Sequence, residues 1–196
     1  MAILPLRAVD RHDTGELDQL TVVRAQRGDH SAQTALIERY QRPVFSLLSR
    51  MLRGERALTE DLAQETFLRV LRGLPAFDTG GPARLSTWVL TIATRLAVDH
   101  LRRRVPAFVE ADGGALPSAL PQPDQDADRR VLAASLARAV DDLGAPFRAA
   151  FLLREVHGLS YDQIAVTLAI DPGTVKSRLA RARAALQAAL AEIRDG

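Results

Sequence analysis

Two acids that lie four positions apart, Asp61 and Glu65, are the first residues of this chain that could do chemistry. That spacing places both carboxylates on one face of a helix, with Gln64 between them in the sequence. Catalysis by a carboxylate pair requires a pocket that shifts the pKa of one acid, and a solvated helix offers none. A solvated face and a protein-docking face are therefore equally good interpretations. Because no phosphate-binding loop, dinucleotide motif or nucleophile motif is present, we expect the protein not to be an enzyme.

The composition excludes other kinds of chemistry. The sequence has no cysteine and its four histidines are scattered, so we expect no disulfide, no metal site and no cofactor. No apolar run approaches the roughly 20 residues that span a bilayer, and the first residues lack a signal-peptide pattern. We therefore expect a cytoplasmic protein without membrane insertion and without a small-molecule substrate. The net charge is only +2, but arginines cluster in separate patches, which suggests a polyanionic partner.

Residues 158–183 have the layout of a helix-turn-helix. Ser160 and Gln163 form the capping-box pattern that opens a short helix. After a turn, Asp171 and Pro172 suit the cap and the first position of a second helix.

The second helix of this segment has an apolar side and a basic side. Four apolar residues recur at helical spacing and are expected to face a core: Val175, Leu179, Ala182 and Leu186. The opposite side presents Ser177, Ala180, Arg181 and Ala184, with Lys176, Arg183 and Arg178 at its edges. Small residues between marginal cations let a helix lie deep in a DNA major groove. An ordinary solvated helix is the alternative, and DNA binding is favoured.

A second basic segment, 85–104, is expected to be a helix that ends in the arginine cluster 102–104. Trp88 and Arg95 fall on one flank, and Asp99 continues it. Hydroxyls are expected on the same exposed surface, from Thr87, Thr91 and Thr94. One aromatic face among hydroxyls and cations suits unpaired nucleic acid. For Trp88 alone, a place in the core is the better interpretation, whereas the arginine cluster is favoured as a phosphate contact.

Helical periodicity organises the N-terminal block. The first helix is expected to begin with Leu17, Leu20, Val23 and Arg24 and to end at Gly28. Asp29 should cap the second, which Pro43 should break or kink. Thr59 should open the third, with Glu60 and Asp61 in its first turn. Its expected buried stripe is Leu62, Ala63, Phe67, Val70, Leu71 and Leu74. Ser86 or Thr87 should start the fourth, with core positions Leu85, Val89, Ile92 and Leu96.

The two blocks are separated by residues 105–127, which are rich in proline and carry acids but no base. This composition predicts a flexible linker. The C-terminal block then begins near Asp128 with a helix that stops at Gly144. Another helix follows from about Pro146 to His157. No period-2 strand pattern appears, so the predicted fold is all-α. Two small helical domains, 17–104 and 128–196, follow a tail, 1–16, and the second is a helix-turn-helix domain.

Three motifs, in this order, resemble the extracytoplasmic-function (ECF) group of bacterial RNA polymerase sigma factors. DLAQETFLRVLRGLPAF (61–77) resembles region 2.2, which docks on the polymerase. LSTWVLTIATRLAVDHLRRR (85–104) resembles regions 2.3 and 2.4, which open and read the −10 promoter element. GLSYDQIAVTLAIDPGTVKSRLARARAAL (158–186) resembles region 4.2, which reads the −35 element. The resemblance covers about 17–104 and 128–190.

The resemblance implies roles for particular residues. Contact with the coiled coil of the polymerase largest subunit would fall to Asp61, Gln64 and Glu65, and the flap is a further implied contact. The loop Asp78–Arg84 would hold a flipped base. The implied −10 residues are Asp78, Arg84, Ser86, Thr87, Trp88, Arg95, Arg102, Arg103 and Arg104. The implied −35 residues are Thr174, Lys176, Ser177, Arg178 and Arg181. The implied partners are core RNA polymerase, promoter DNA and an anti-sigma protein.

Three positions depart from the family pattern. Leu85 replaces the usual Phe, Arg95 stands where Asn is common, and Ala180 replaces a larger side chain. The base preferences of the chain therefore stay open.

Two other functions compete with this one. A self-sufficient helix-turn-helix repressor or activator, with a ligand-sensing N-terminal block, would bind an operator tightly without polymerase. A protein-interaction module with a merely solvated basic helix would show no effect that depends on a promoter.

Overall fold

A computed structural model describes residues 16–104 and 125–195, and within these ranges the regular elements are all helical. The all-α prediction is confirmed. The predicted tail and linker lie outside the described residues, apart from Glu16 and 125–127. None of the described helices has the length and hydropathy that a bilayer crossing requires. The described residues contain no cluster of His, Cys, Asp or Glu arranged to hold a metal.

Eight α-helices make up the described part of the chain. Their bounds are α1 Gln19–Gln26, α2 His30–Met51, α3 Arg56–Gly73, α4 Leu85–Arg104, α5 Gln125–Asp142, α6 Ala145–Phe151, α7 Tyr161–Leu168 and α8 Pro172–Asp195. A short 3₁₀ turn, Leu74–Ala76, follows α3, and a π-helical turn, Leu152–Val156, follows α6. These elements form two compact units, which belong to His12–His100 and to Leu101–Gly196. The two-domain prediction is thus confirmed in its main feature.

In the first unit, α2 packs against α1 and α3. Asp29 caps α2 as predicted, and its side chain accepts a hydrogen bond from the amide of Ala32. Of the two effects predicted for Pro43, a break or a kink, the break does not occur, because α2 continues to Met51. A proline removes one backbone hydrogen bond. Around Pro43 the side chains of Tyr40 and Val44 are fully buried, and this packing outweighs the local loss.

Helix α1 begins at Gln19, two residues after the predicted start at Leu17. Asp18, rather than Leu17, precedes the helix and caps it through the amide of Thr21, at 2.9 Å. The inward positions are consequently Val22 and Ala25, whereas Leu20 is 70% exposed. A helix of two turns buries few positions, so the placement of the cap decides which ones they are.

The start of α3 also differs from the prediction. The helix begins at Arg56, one turn before Thr59, so Asp61 lies in its second turn. Thr59 and Thr66 are fully buried, and each hydroxyl donates to the carbonyl four residues earlier, at 2.8 and 2.6 Å. Such a bond satisfies a buried hydroxyl without an outside partner. The predicted stripe is buried at Val70 and Leu74 and half-buried at its other positions.

Helix α4 begins at Leu85, one residue before the predicted start. The expected exposure of Thr94 is wrong: this residue is fully buried, and its hydroxyl donates to the carbonyl of Leu90 at 2.8 Å. Ile92, which is predicted to be a core residue, is only half-buried. The same backbone bond that satisfies Thr66 explains why threonine is tolerated here.

In the second unit, α8 packs against α5, α6 and α7. Its predicted apolar stripe is confirmed, since all four members are buried: Val175, Leu179, Ala182 and Leu186. Helix α5 begins at Gln125, three residues before the predicted start. Arg148, which sequence analysis overlooked, is only 2% exposed, and its guanidinium donates to the carbonyls of Asp141 and Leu143 at 2.6 and 3.2 Å. This arginine satisfies carbonyls at the C-terminal end of α5.

Candidate nucleic-acid interface

The helix-turn-helix forms as predicted because its caps are local. The hydroxyl of Ser160 accepts from the amide of Gln163 at 3.2 Å, and the Gln163 side chain accepts from the amide of Ser160 at 2.8 Å. Helix α7 ends at Ala169, which adopts the left-handed conformation, with φ 53° and ψ 51°. Asp171 then caps α8 by accepting from the amide of Thr174 at 2.8 Å.

The outer face of α8 is basic and exposed. Lys176, Ser177 and Arg181 are exposed, whereas Arg178 is half-buried, and burial lowers the pKa of its guanidinium. The hydroxyl of Ser177 donates to the carbonyl of Thr174 at 3.0 Å, which leaves its lone pairs available to an incoming donor. The face therefore presents cations around a small polar centre, as a groove-binding helix requires.

Two residues at the margins of this face form side-chain hydrogen bonds within the domain. The hydroxyl of Thr174 donates to the carboxylate of Asp171 at 2.5 Å, and this hydrogen bond lowers the pKa of Asp171. Arg183 donates to Glu155 at 2.8 Å, and this bond raises the pKa of the arginine. Thr174 thus belongs to the cap of α8. Arg183 connects α8 to the π-helical turn through its ion pair with Glu155.

The acidic face of α3 is exposed as predicted. Asp61 and Gln64 are exposed, while Glu65 is half-buried and accepts from Arg69 at 2.7 Å. Leu68, which sequence analysis overlooked, is 41% exposed and lies one turn beyond Gln64 on the same face. A large exposed apolar side chain among polar residues was the signal that could have identified it.

The side chain of Trp88, in the first turn of α4, packs against the segment that follows α3. Its ring packs against Phe77 with centroids 5.0 Å apart and planes inclined at 37°. On its other side lies Gly73, where an added Cβ would meet Cζ2 of Trp88 at 3.1 Å. The indole is half-buried, so it combines a packing role with a partly open surface. In the loop, the carboxylate of Asp78 accepts from the amide of Gly80 at 2.9 Å.

The start of α4 is fixed by Glu16, a residue that sequence analysis assigned to the tail. Its carboxylate accepts from the hydroxyl of Ser86 at 2.5 Å, from the Ser86 amide at 3.4 Å and from the hydroxyl of Tyr40 at 3.4 Å. Ser86 is buried, so its hydroxyl does not reach solvent. Thr87 is half-buried, and the exposed members of the predicted −10 set are Asp78, Arg84, Arg95, Arg102 and Arg103. The side chain of Arg104 lies outside the described residues.

Known protein families match a segment of each helical unit. Residues 36–105 match the Sigma-70 region 2 family, and residues 134–186 match Sigma-70 region 4. The ECF RNA polymerase sigma factor SigE of Mycolicibacterium smegmatis is 37% identical over 171 residues, which cover 84% of this chain and 65% of that relative. The RNA polymerase sigma-H factor of Pseudomonas aeruginosa is 34% identical over 189 residues, which cover 90% of this chain and 95% of that one.

A solved structure shares the architecture. The sigma factor RpoE of Bartonella quintana, crystallised with the anti-sigma factor NepR, aligns with a TM-score of 0.59 and 25% identity. The alignment covers 80% of this chain and 95% of that one. Two helical units and matches to both sigma regions define a transcription initiation factor. The chain belongs to the ECF group of RNA polymerase sigma factors.

Proposed function

We propose that the two units divide the work of this sigma factor. The first unit docks on core RNA polymerase through α3 and holds the opened −10 element, and the second unit reads the −35 element through α8. The exposed basic face of α8, presented by a complete helix-turn-helix, is the observation that carries this proposal. The protein itself catalyses no reaction, and it acts in the cytoplasm, where the polymerase transcribes.

The acidic face of α3 supports docking because it combines charge with an apolar anchor. Asp61 and Gln64 border Leu68, and the mixture suits a basic partner surface with an apolar contact at its centre. Glu65, which is bonded to Arg69, contributes a carboxylate held in place by its own helix.

The surface around α4 supports binding of unpaired −10 DNA. Extruding a base costs a few kcal/mol, so the loop Asp78–Arg84 and the neighbouring Trp88 must recover that energy. We assign phosphate contacts to Arg95, Arg102 and Arg103, which are exposed, and to Arg104. Because its hydroxyl is bound by Glu16, Ser86 positions the helix rather than contacting DNA.

For the −35 element, we propose base-edge and phosphate contacts from Lys176, Ser177, Arg178 and Arg181. Thr174 contributes by fixing the first turn of α8 through Asp171. Each unit alone should bind DNA weakly. The connection between them raises the effective concentration of the second contact once the first has formed.

We also propose that an anti-sigma protein controls this factor. The support is the Bartonella RpoE structure, which contains an anti-sigma factor on a chain that this one resembles over most of its length. The predicted behaviour is competition: the inhibitor and core polymerase should not bind the same molecule of sigma factor together.

The double variant Asp61→Arg with Gln64→Ala tests the docking proposal. It should abolish binding to core polymerase in size-exclusion chromatography while the helical circular dichroism stays unchanged. Asp142→Arg, a charge reversal on an exposed acid of the other unit, is the matched control and should bind as the natural chain does. Undiminished core binding by the double variant would contradict docking at α3. Tight operator binding by the purified protein alone would instead favour a self-sufficient repressor.

A further inference from the structure

A second basic surface, on α2, has no role in the function proposed above. We define the arginine face of α2 as the side chains of Arg42, Phe45, Ser46, Ser49, Arg50 and Arg53. At about 100° per residue, the members within the helix fall inside an arc of roughly 140°, on a different side from the buried residues. Arg53 lies two residues after Met51, the last residue of the helix. All six are exposed or half-buried, and none is acidic.

The arginines of this face lack the partners that other arginines of the same unit have. Arg24 pairs with Asp29 at 2.7 Å, and Arg56 pairs with Glu60 at 2.8 Å. Arg42, Arg50 and Arg53 form no ion pair with any residue that the structure describes. Glu38, one turn before Arg42, is the acid that α2 carries on this side, so three guanidiniums against one carboxylate leave a net positive potential, which favours an anionic partner.

An aromatic ring and two hydroxyls lie among these cations. Phe45 is 40% exposed, and it is three residues from Arg42 and four from Ser49, which makes all three neighbours on the helix surface. The hydroxyls of Ser46 and Ser49 lie between Arg42 and Arg50. Arginines that hold phosphates, hydroxyls that donate to them and a ring on which a base stacks are the features of single-strand binding.

The dimensions of the face fit the same ligand. Arg42 and Arg50 are separated by about 12 Å along the helix, so the face is long enough to contact more than one phosphate of a strand. Arg53 has a φ of 55°, and Ala169 in the helix-turn-helix is the other described non-glycine residue with positive φ. Both residues follow the end of a helix, and at Arg53 the amide of Gly54 donates to the Ser49 carbonyl at 2.8 Å, so this conformation closes α2.

We propose that the arginine face of α2 binds unpaired DNA, with phosphates on the three arginines and a base stacked on Phe45. This surface is additional to the −10 contacts of α4 and the −35 contacts of α8, and it is independent of sequence. The proposal rests on the proposed function only in that the opened promoter supplies the single strand.

The test uses the full chain and a fluorescent 12-nucleotide single strand of mixed sequence, with anisotropy measured across a range of salt concentrations. The slope of log affinity against log salt is negative. In the triple variant Arg42→Gln, Arg50→Gln, Arg53→Gln the slope should be less negative by about 2, at roughly 0.7 per lost phosphate contact. The control Arg24→Gln, Arg27→Gln, Arg56→Gln removes the same charge elsewhere in the unit and should leave the slope unchanged. Phe45→Leu should weaken binding roughly 5- to 100-fold, because a base no longer stacks.

Core binding is measured for the same proteins and separates the possible outcomes. A natural chain that fails to bind core polymerase defeats the proposed function, whatever the single-strand result. If the natural chain binds core but both triple variants change the slope equally, the effect is net charge and the proposal is overturned. Loss of core binding by the first variant with an unchanged slope also overturns it, because the face then contacts protein. Ser46→Glu, which adds a carboxylate between the arginines, should reproduce the weaker binding with native circular dichroism.

Discussion

The carboxylate of Glu16 accepts the hydrogen bond of the Ser86 hydroxyl at 2.5 Å, across 70 residues of sequence. This bond fixes the start of α4, the helix whose exposed arginines are assigned to the −10 element. A carboxylate at a helix N-terminus also interacts favourably with the helix dipole. The segment before α1 therefore helps to position the surface that we propose for the −10 element.

Removal of the Glu16 carboxylate should destabilise the first unit. We expect Glu16→Ala to lower the free energy of unfolding by about 1 kcal/mol, since the buried hydroxyl of Ser86 loses its acceptor. Glu16→Gln, which keeps an acceptor oxygen, should lose less. Trp88 is the only tryptophan, so its fluorescence in a urea titration reports this unit. The control Glu38→Ala changes an exposed acid on α2; an equal loss in that variant would contradict a specific role for Glu16.

Tyr40 should resist ionisation while the protein is folded. Burial and, secondly, the charge of Glu16 raise the pKa of Tyr40 above its ordinary value near 10. Because the pKa of Tyr40 is higher in the folded than in the unfolded chain, its contribution to stability is complete at a pH below the unfolded-state pKa. The contribution is lost as the pH rises from the unfolded-state pKa through the folded-state pKa. The chain has two tyrosines, so Tyr161→Phe leaves Tyr40 as the reporter. Its phenolate absorbance should appear only together with alkaline unfolding, and ionisation near pH 10 in a folded protein would contradict this.

Gly73→Ala should disturb the contact between α3 and Trp88. The added methyl would lie 3.1 Å from Cζ2 of the indole, which is tighter than ordinary contact. Overpacking costs about 1–3 kcal/mol, against a helix-propensity gain of about 1 kcal/mol, so a net loss of stability is expected. The tryptophan fluorescence should shift, and binding of a single-stranded −10 oligonucleotide should weaken. In the control Gly80→Ala the nearest atom is the Asp78 carboxylate at 3.6 Å, so the tryptophan signal should not change.

Arg181 and Arg183 lie on the same helix, but their substitution by alanine should affect different properties, DNA binding for Arg181 and stability for Arg183. Arg181→Ala should weaken binding to a −35 duplex by about 1–3 kcal/mol if the residue reads a base edge. Arg183 is bonded to Glu155, so Arg183→Ala should mainly change stability, by less than about 1 kcal/mol for a surface pair. Titration of both variants against duplexes with and without the −35 sequence provides the comparison. Greater loss of sequence discrimination in Arg183→Ala would reverse the assignment.

Local signals account for what the sequence could predict. Ser160 with Gln163, and Asp171 with Pro172, specify helix ends through bonds that span three residues, so the helix-turn-helix was predictable nearly to the residue. The buried stripe of α8 was equally accessible because a long amphipathic helix repeats its pattern several times. Motifs that combine such signals also led to the family.

Tertiary contacts account for what the sequence could not predict. Glu16 and Ser86 meet only after folding, and no periodicity in either segment indicates the bond. Arg148 is buried because it finds the carbonyls at the end of α5, whereas an arginine in a sequence is ordinarily expected at the surface. Helical spacing predicts an exposed Thr94, but the residue is buried, and its hydroxyl is satisfied by a hydrogen bond to its own helix.

Transcription of bacterial genomic DNA by core RNA polymerase, with and without the purified protein, is the most direct measurement, with transcript 5′ ends mapped in both reactions. We predict that the protein co-migrates with core polymerase and adds a set of start sites that share one −35 and one −10 sequence. Asp61→Arg with Gln64→Ala should fail to add them. An identical set of 5′ ends with and without the protein would contradict its function as a promoter-specificity subunit.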